Sequence, residues 1–258
     1  IEGSLLTSSH DRKHLAFDIL LLLFPKLPSS CVQAVLSYKL IQCLVDILST
    51  KDSWLYKVAQ FFLKELSRLV KNDDGKRVEV IVALQKHSSG KFDCITQTKT
   101  VKVLMSDFKS ESGCLLFVQE LVNMFLDEGH ASDEPSDQSQ TTDDNSEIGS
   151  IEDKDSVGLT GTSDFLKSWI VDSLPYVLKH LELDPEARFR VQKEIMKFLA
   201  VQGLFCSSLG TEVTSFELQE KFRWPKSAIS SALSRMCIEQ VELLLANAQK
   251  GEGPHAAV

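Results

Sequence analysis

Apolar residues recur at intervals of three and four along most of the chain, which is the spacing of amphipathic helices. The clearest segment starts near Asp52 or Ser53, either of which could cap it, and ends at the turn 72–75. Its predicted apolar stripe consists of Trp54, Leu55, Val58, Phe61, Phe62, Leu66 and Leu69. The predicted polar side carries Lys57, Lys64, Arg68 and Lys71. The pattern predicts one long helix with an apolar and a basic face.

The same spacing predicts a series of helices around this one. We expect them near residues 10–24, 29–36, 39–48, 76–86, 99–106 and 110–126. Pro25 should end the first helix, and Ser110 should start the last. The stretch 91–100 is polar and β-branched, so it favours a loop, with a short strand as the alternative.

Further helices are predicted towards the end of the chain. One starts at Ser163 and is kinked or divided at Pro175. The run 184–186, Asp-Pro-Glu, is a strong start signal for a second helix, and Gly203 is placed to end it. A short helix near 216–222 and a long one over 227–248 follow.

A run of carboxylates separates the two helical parts. Residues 127–160 contain eleven acids and one base, Lys154, so this segment carries a net charge of −10 in a chain of net charge −8. It lacks aromatic residues, and such a composition cannot bury enough apolar surface to offset the entropy of ordering. We predict a disordered acidic linker over 127–160 between helical segments 1–126 and 161–250, with a flexible tail at 251–258.

The fold class that follows is all-α. Helices of uneven length joined by short turns are typical of an armadillo or HEAT-like repeat stack, here interrupted by the acidic linker. Aromatic and aliphatic clusters near 17–24 and 54–62 recur at a pitch close to the roughly 40–47 residues of such repeats. A compact helical bundle is the alternative.

The sequence offers little sign of catalysis. His10 and His14 lie four residues apart, but the zincin pattern needs a glutamate after the first histidine, and Asp11 stands there. There is neither a phosphate-binding loop nor a nucleophile elbow, and the six cysteines form no C-x-x-C pair. The longest apolar run, 19–24, is far shorter than a membrane span. We therefore expect a non-enzyme without metal or cofactor and without membrane contact.

Two basic helix faces are the candidate binding surfaces. They consist of Lys57, Lys64, Arg68 and Lys71, and of Arg190, Lys193 and Lys197 with Arg188 nearby. Each could contact phosphates or an acidic partner, including the acidic linker of this chain, whereas the alternative is a merely solvated surface. A second possibility is a sequence-reading helix-turn-helix over 215–235, in which Lys226 and Arg235 are the basic residues of the recognition helix.

The acidic linker also contains candidate phosphorylation sites. Each has an acid within three residues on its C-terminal side, the pattern that acidophilic kinases favour: Ser132, Ser136, Thr142, Ser146 and Ser150. A phosphate would add about −1.5 to −2 charges per site and strengthen binding to basic partners.

Several segments of the sequence resemble one protein family. DRKHLAFDILLLLFPKLP at 11–28, VLSYKLIQCLVDIL at 35–48, FDCITQTKTVKVLM at 92–105 and VQKEIMKFLAVQGLF at 191–205 are similar to the family of Myb-binding protein 1A. Its fungal and plant members are called DNA polymerase V or polymerase phi, and the plant members look nearest. The resemblance covers most of the chain, and it depends on the patterns of predicted helices and not on catalytic motifs.

The resemblance implies an armadillo-type helical protein of the nucleus and nucleolus. Members of this family act in ribosomal RNA gene transcription and ribosome biogenesis, and they bind transcription factors and DNA. Despite the family name, no aspartate-containing polymerase motif is found in this sequence. The expected function is a non-enzymatic scaffold that binds proteins of these processes and, through its basic helix faces, DNA or RNA.

Overall fold

The computed structural model describes residues 10–127, 157–180, 182–204 and 229–251, and within these ranges the regular structure is all helical. The α-helices are α1 His10–Leu23, α2 Val32–Val35, α3 Tyr38–Ser49, α4 Tyr56–Leu69, α5 Asp74–Lys86, α6 Phe92–Thr96, α7 Thr100–Met105, α8 Glu111–Leu126, α9 Val157–Tyr176, α10 Pro185–Leu204 and α11 Ser231–Gly251. Short 3-10 helices occupy Phe24–Lys26, Ser29–Cys31 and Val177–His180. The predicted all-α class is therefore confirmed.

Polar side chains cap several of these helices where the sequence predicted a start. Ser37 Oγ accepts the amide of Leu40 at 3.4 Å at the start of α3, and Ser110 Oγ accepts that of Gly113 at 3.0 Å at the start of α8. Asp184 Oδ1 accepts the amide of Ala187 at 3.0 Å before Pro185, the first residue of α10. Each cap satisfies a backbone donor that the first turn of a helix leaves free.

The helices share one contiguous hydrophobic core. Phe17 of α1 packs on Phe62 of α4 with ring centroids 5.0 Å apart, and Phe125 of α8 packs edge-on against Phe198 of α10 at 5.2 Å. Helix α8 contacts α5 on one side and both α9 and α10 on the other, and α10 packs along α11. The helices that precede and follow the acidic segment therefore pack against each other through α8.

No single helix in the described ranges is long and apolar enough to cross a membrane. The segments Ser29–Val35 and Tyr38–Ser49 reach that length only together, and they meet at an angle of 61°.

The predicted apolar stripe of α4 is wrong at two positions. Trp54 is 62% exposed and Phe61 is 55% exposed, whereas the buried stripe consists of Leu55, Ala59, Phe62, Leu63, Leu66 and Val70. The predicted capping by Asp52 or Ser53 is also wrong, because Leu55 is the N-cap residue and no side chain caps α4 itself. Ser53 Oγ instead accepts the amide of Leu55 at 3.3 Å in the turn before the helix. On a helix that turns 100° per residue, Phe61 lies away from Phe62 and close to the face of the lysines.

Three further boundaries differ from the prediction. Residues Phe92–Thr96 form α6 where a loop was expected, and a left-handed Gln97, with φ of 53°, ends it. Helix α9 begins at Val157 instead of Ser163, so residues 157–160 of the predicted linker are helical. The helix predicted from Ser227 begins at Ser231 as α11.

Gly203 does not end its helix as predicted, since α10 continues to Leu204. A Cβ atom on Gly203 would lie 2.9 Å from Cγ1 of Ile238 in α11. The glycine therefore permits close packing of α10 on α11.

The remaining residues of the predicted linker, 128–156, the predicted helix 216–222 and residues 252–258 of the predicted tail lie outside the described residues. The division into segments 1–126 and 161–250 stays a prediction.

Candidate functional site

The exposed side of α4 combines basic and aromatic side chains. Lys57, Phe61, Lys64 and Arg68 follow each other at steps of four, three and four residues, so they share one face, and all are exposed. Trp54 stands three residues before Lys57 in the turn that leads into the helix, and its ring stacks on that of His10 at 6.1 Å. We call Trp54, Lys57, Phe61, Lys64 and Arg68 the α4 face.

The cations of the α4 face are only partly neutralised. Arg68 Nε lies 2.8 Å from Oε2 of Glu65, one turn earlier in the same helix. Lys57 and Lys64 have no ion pair with any residue that the structure describes. Such amino groups are available to an anionic ligand.

A shallow groove of about 320 Å³ runs beside the α4 face, between α4 and α7. Lys64 lines one wall and Lys99 the other, with Val103 nearby on α7. The carboxylate of Asp93 accepts the amides of Val101 and Lys102, each at 3.1 Å, so its negative charge caps α7. Lys99 therefore extends the positive surface of α4 across the groove.

A buried arginine fixes the far end of α4. Arg77 of α5 is 1% exposed, and its guanidinium donates to the carbonyl oxygens of Val70 at 3.1 Å, Lys71 at 2.7 Å and Leu104 at 3.2 Å. The oxygens of Val70 and Lys71 lie just beyond the last turn of α4, where helices leave carbonyls without a partner. Arg77 is the residue that sequence reasoning missed, because its position in the apolar pattern gives no sign of burial.

Two carboxylates complete the surroundings of Arg77. Asp74 Oδ1 lies 3.5 Å from Arg77 Nε, and Asp74 also accepts from the amide and hydroxyl of Ser110 at the start of α8. Partial burial raises the pKa of Asp107, but the hydrogen bond from Lys109 and the charges of Arg77, Lys109 and Lys71 outweigh it and lower the pKa. Lys71 was predicted as part of the basic stripe, and its charge is among those that lower the pKa of Asp107.

The second basic stripe has a different setting. Arg190 binds Glu111 of α8 through Nε at 2.6 Å and through the second terminal nitrogen at 2.9 Å, a bidentate pair between two helices. Lys197 pairs with Glu194 at 2.7 Å on the same helix. With Lys193 these residues form what we call the α10 face.

Arg188 is not on the α10 face. It lines a cleft of about 500 Å³ between the end of α9, α10 and α11, together with Lys179, Asp172 and Gln240. Burial raises the pKa of Asp172, while a hydrogen bond of 3.2 Å from Gln240 acts in the opposite direction. The structure therefore separates Arg188 from Arg190, Lys193 and Lys197.

The remaining predicted sites fall into two groups. His14 lies 3.7 Å from Asp18, and among the described residues there is no group of three potential metal ligands that includes it or His10. The phosphorylation candidates Ser132, Ser136, Thr142, Ser146 and Ser150 lie outside the described residues, as do Lys226 and most of the predicted helix-turn-helix.

The thiols of Cys114 and Cys237 are buried, which raises the pKa of each to about 12 and makes the reactive thiolate rare.

Comparisons with known proteins place the chain in context. The family model described as DNA polymerase phi matches residues 1–257. The rDNA transcriptional regulator pol5 of Schizosaccharomyces pombe is 28% identical over 118 residues, which is 45% of this chain and 12% of that protein. The match thus spans about an eighth of the length of this curated relative. No solved structure is significantly similar.

Proposed function

The chain belongs to the DNA polymerase phi family, and on that premise we propose that it is a non-enzymatic helical scaffold in the regulation of ribosomal RNA gene transcription. In this role it works in the nucleus and nucleolus and contributes to ribosome biogenesis. Its partners are transcription factors, proteins of ribosome biogenesis and, through the basic helix faces, DNA or RNA.

The observation that carries the proposal is the placement of basic residues on the outside of a helical array with one core. The basic side chains of the α4 face and the α10 face are all exposed in the part of the chain that the structure describes. Surfaces of this kind suit extended partners better than small substrates, because extended partners contact several helices at once. The name of the fission yeast relative, an rDNA transcriptional regulator, supports the same role.

The finer architecture belongs to this proposal. We take the helices as an armadillo-like stack, in which each helix pair buries its apolar side against the next, and the acidic segment as a linker inserted between α8 and α9. The contacts of α8 with α5, α9 and α10 support a stack that continues across the insertion.

The experiment is depletion of the full-length protein from cells, followed by measurement of precursor ribosomal RNA synthesis and of its occupancy on ribosomal DNA. We expect loss of precursor synthesis, restored by the wild-type protein. A rescue protein with Lys57, Lys64 and Arg68 changed to glutamate should associate with nuclear partners but occupy ribosomal DNA less. The matched control carries three glutamates at exposed cations elsewhere, such as Lys26, Lys39 and Lys51.

Two results would contradict the proposal. One is unchanged precursor synthesis after depletion. The other is nucleotide incorporation by the purified chain that a single carboxylate substitution abolishes, because a scaffold has no catalytic carboxylate.

A further inference from the structure

We propose that the α4 face binds single-stranded nucleic acid, with Trp54 and Phe61 as stacking platforms and the neighbouring cations as phosphate contacts. The inference deepens the proposed function, on which it rests, by naming the ligand of one surface. Its basis is the unexpected exposure of two large aromatic side chains, Trp54 in the turn before α4 and Phe61 between Lys57 and Lys64 on the helix.

Exposed aromatics of this size need an explanation. Trp54 is 62% exposed and Phe61 is 55% exposed. Burial of large apolar rings is favourable, and the core takes Leu55 and Phe62 instead. They are seven residues apart in the sequence, with Trp54 in the turn before α4 and Phe61 in its second turn. Two platforms at that spacing are within reach of a strand of a few nucleotides, since binding sites for single strands cover about 4–16 nucleotides.

The charges between the platforms fit the backbone of such a strand. Lys57 lies between Trp54 and Phe61 in the sequence, Lys64 and Arg68 continue the line, and Lys99 adds a cation across the groove. Two of the acids around these cations are engaged, because Glu65 pairs with Arg68 and Asp93 caps α7. A ligand in which every phosphate is followed by an aromatic base matches this order of side chains better than a run of Asp and Glu, which has no ring to stack.

A duplex fits less well. In a duplex the bases are stacked on each other and their faces are not available to Trp54 and Phe61, whereas a single strand can place its bases on aromatic rings. The ring of His10 stacks on Trp54 with an interplanar angle of 18°, so the indole already takes part in ring stacking on one side. The exposed remainder of the ring is open to a base.

The test measures binding of the 258-residue chain to fluorescein-labelled oligonucleotides by anisotropy, over a salt titration. The probes are 15-nucleotide single strands of deoxythymidine and of uridine, and a mixed-sequence duplex of the same length. We expect both single strands to bind more tightly than the duplex. A stronger response to the RNA strand also supports the proposal, and it adds a contact to the 2′-hydroxyl.

Two sets of variants separate stacking from charge. The double variant Trp54→Ala/Phe61→Ala should weaken single-strand binding by about thirtyfold or more, because it removes two stacked bases of at least about 1 kcal/mol each. It should leave the salt dependence unchanged. The variant Lys64→Ala/Arg68→Ala should reduce the slope of log K against log salt by about 1.4, since each phosphate contact contributes about 0.7 for single strands.

Matched variants guard against trivial effects. Tyr38 is 49% exposed at the start of α3 and belongs to neither basic face, so Tyr38→Ala removes an exposed ring from a different place, and we expect no change in affinity. Trp54→Phe should keep most of the affinity, because a phenyl ring still stacks. Circular dichroism of each variant confirms that helices are retained.

Three outcomes would overturn the inference. They are equal affinity for duplex and single strands, unchanged binding by the Trp54→Ala/Phe61→Ala variant, and an equal loss caused by Tyr38→Ala. None of these would contradict the scaffold proposal, which fails instead if depletion leaves precursor ribosomal RNA synthesis unchanged.

Discussion

The α4 face and the α10 face look alike in the sequence, and they differ in the structure. Each is a helical stripe of basic residues opposite an apolar stripe. On α4, Lys57 and Lys64 have no acidic partner among the described residues and stand beside exposed aromatic rings. On α10, Arg190 is bound by both oxygens of Glu111 and Lys197 pairs with Glu194, which leaves Lys193 as the cation of this face without an ion pair among the described residues.

The difference shows that the periodicity of charges does not determine whether they are available. Glu65 and Glu194 are visible as neighbours in the sequence because they lie three residues from their partners. Glu111, in contrast, is 79 residues away from Arg190, and only the packing of α8 on α10 brings the two together. A basic stripe in a helical protein is thus a binding candidate only after its spatial neighbours are known.

The largest expected effect comes from detaching α4 from its anchor. Arg77→Met removes the donors to the carbonyls of Val70 and Lys71 and leaves Asp74 without its buried partner. We expect the free energy of unfolding to fall by about 3–5 kcal/mol, the usual cost of breaking a buried charge pair. Urea denaturation followed by circular dichroism measures it.

The control for this variant is Arg190→Met on the other face. Its ion pair is partly exposed, and solvent weakens such pairs, so we expect only a small loss of stability. Equal losses in the two variants would mean that Arg77 does not anchor α4.

The second prediction concerns how α10 is held in place. Gly203→Ala forces a Cβ atom against Cγ1 of Ile238 and 3.2 Å from its backbone nitrogen. Overpacking costs about 1–3 kcal/mol, and a gain of up to about 1 kcal/mol in helix propensity offsets part of it. We expect a net destabilisation of about 1–2 kcal/mol, measured by urea denaturation.

The double variant Gly203→Ala/Ile238→Ala tests the cause of this loss. Removing the Ile238 side chain takes away the closest contact, so the alanine at 203 should cost less in that background than in the wild type. Additive losses would show that the two positions do not interact.

Much of the fold could be predicted from the sequence, because the signals are local. Ser110 and Asp184 cap their helices as expected, since capping depends on residues within one turn. The short helix α6 was missed because its polar, β-branched residues have low helix propensity, and the tertiary contacts of α6 with α3 and α7 override it. Gly203 was misread for a similar reason, since its role depends on Ile238 in another helix.

The candidate site was less predictable than the fold. Lys57, Lys64 and Arg68 were found because a helical period places them together. Trp54 and Phe61 were assigned to the core by their hydrophobicity, and the choice between core and surface for a ring at the edge of a stripe depends on packing against α1 and α7. The burial of Arg77 could not be found, because it depends on the carbonyls of Val70, Lys71 and Leu104, and backbone carbonyls carry no sequence signal.

The third prediction sharpens the comparison through the acidic segment. Treated as the flexible chain that its composition predicts, a segment of about 30 residues spans roughly 30 Å, enough to reach a basic face and compete with nucleic acid. Deleting residues 128–156 should raise the affinity for a single-stranded oligonucleotide a few-fold at low salt. The gain should shrink towards about 0.15 M salt, where charges are screened beyond about 8 Å.

Three variants test this competition. A chain whose acids in 128–156 are replaced by their amides should behave like the deletion, because the effect depends on charge and not on length. The gain should disappear when Lys57 and Lys64 are changed to alanine, and it should persist when Lys193 and Lys197 are changed. Equal affinity of the intact and deleted chains at every salt concentration would leave the segment as a spacer.

The smallest expected effect tests whether Glu111 is what distinguishes the α10 face. The hydrogen bond from Arg190 lowers the pKa of Glu111 below its ordinary value, against a smaller opposing effect of burial. A carboxylate with a depressed pKa stabilises the fold fully above its unfolded pKa, and this contribution disappears as the pH falls through the folded pKa. Glu111→Gln should therefore be slightly less stable than the wild type at pH 7, and the difference should vanish in strongly acidic solution. Thermal denaturation of both proteins from pH 7 to pH 3 isolates the contribution of the Glu111 carboxyl, because all other carboxyls titrate in both proteins.

Without the charge of Glu111, Arg190 should also increase binding of an oligonucleotide to the variant at low salt. A stability difference that stays constant with pH would assign the role of Glu111 to shape instead of charge.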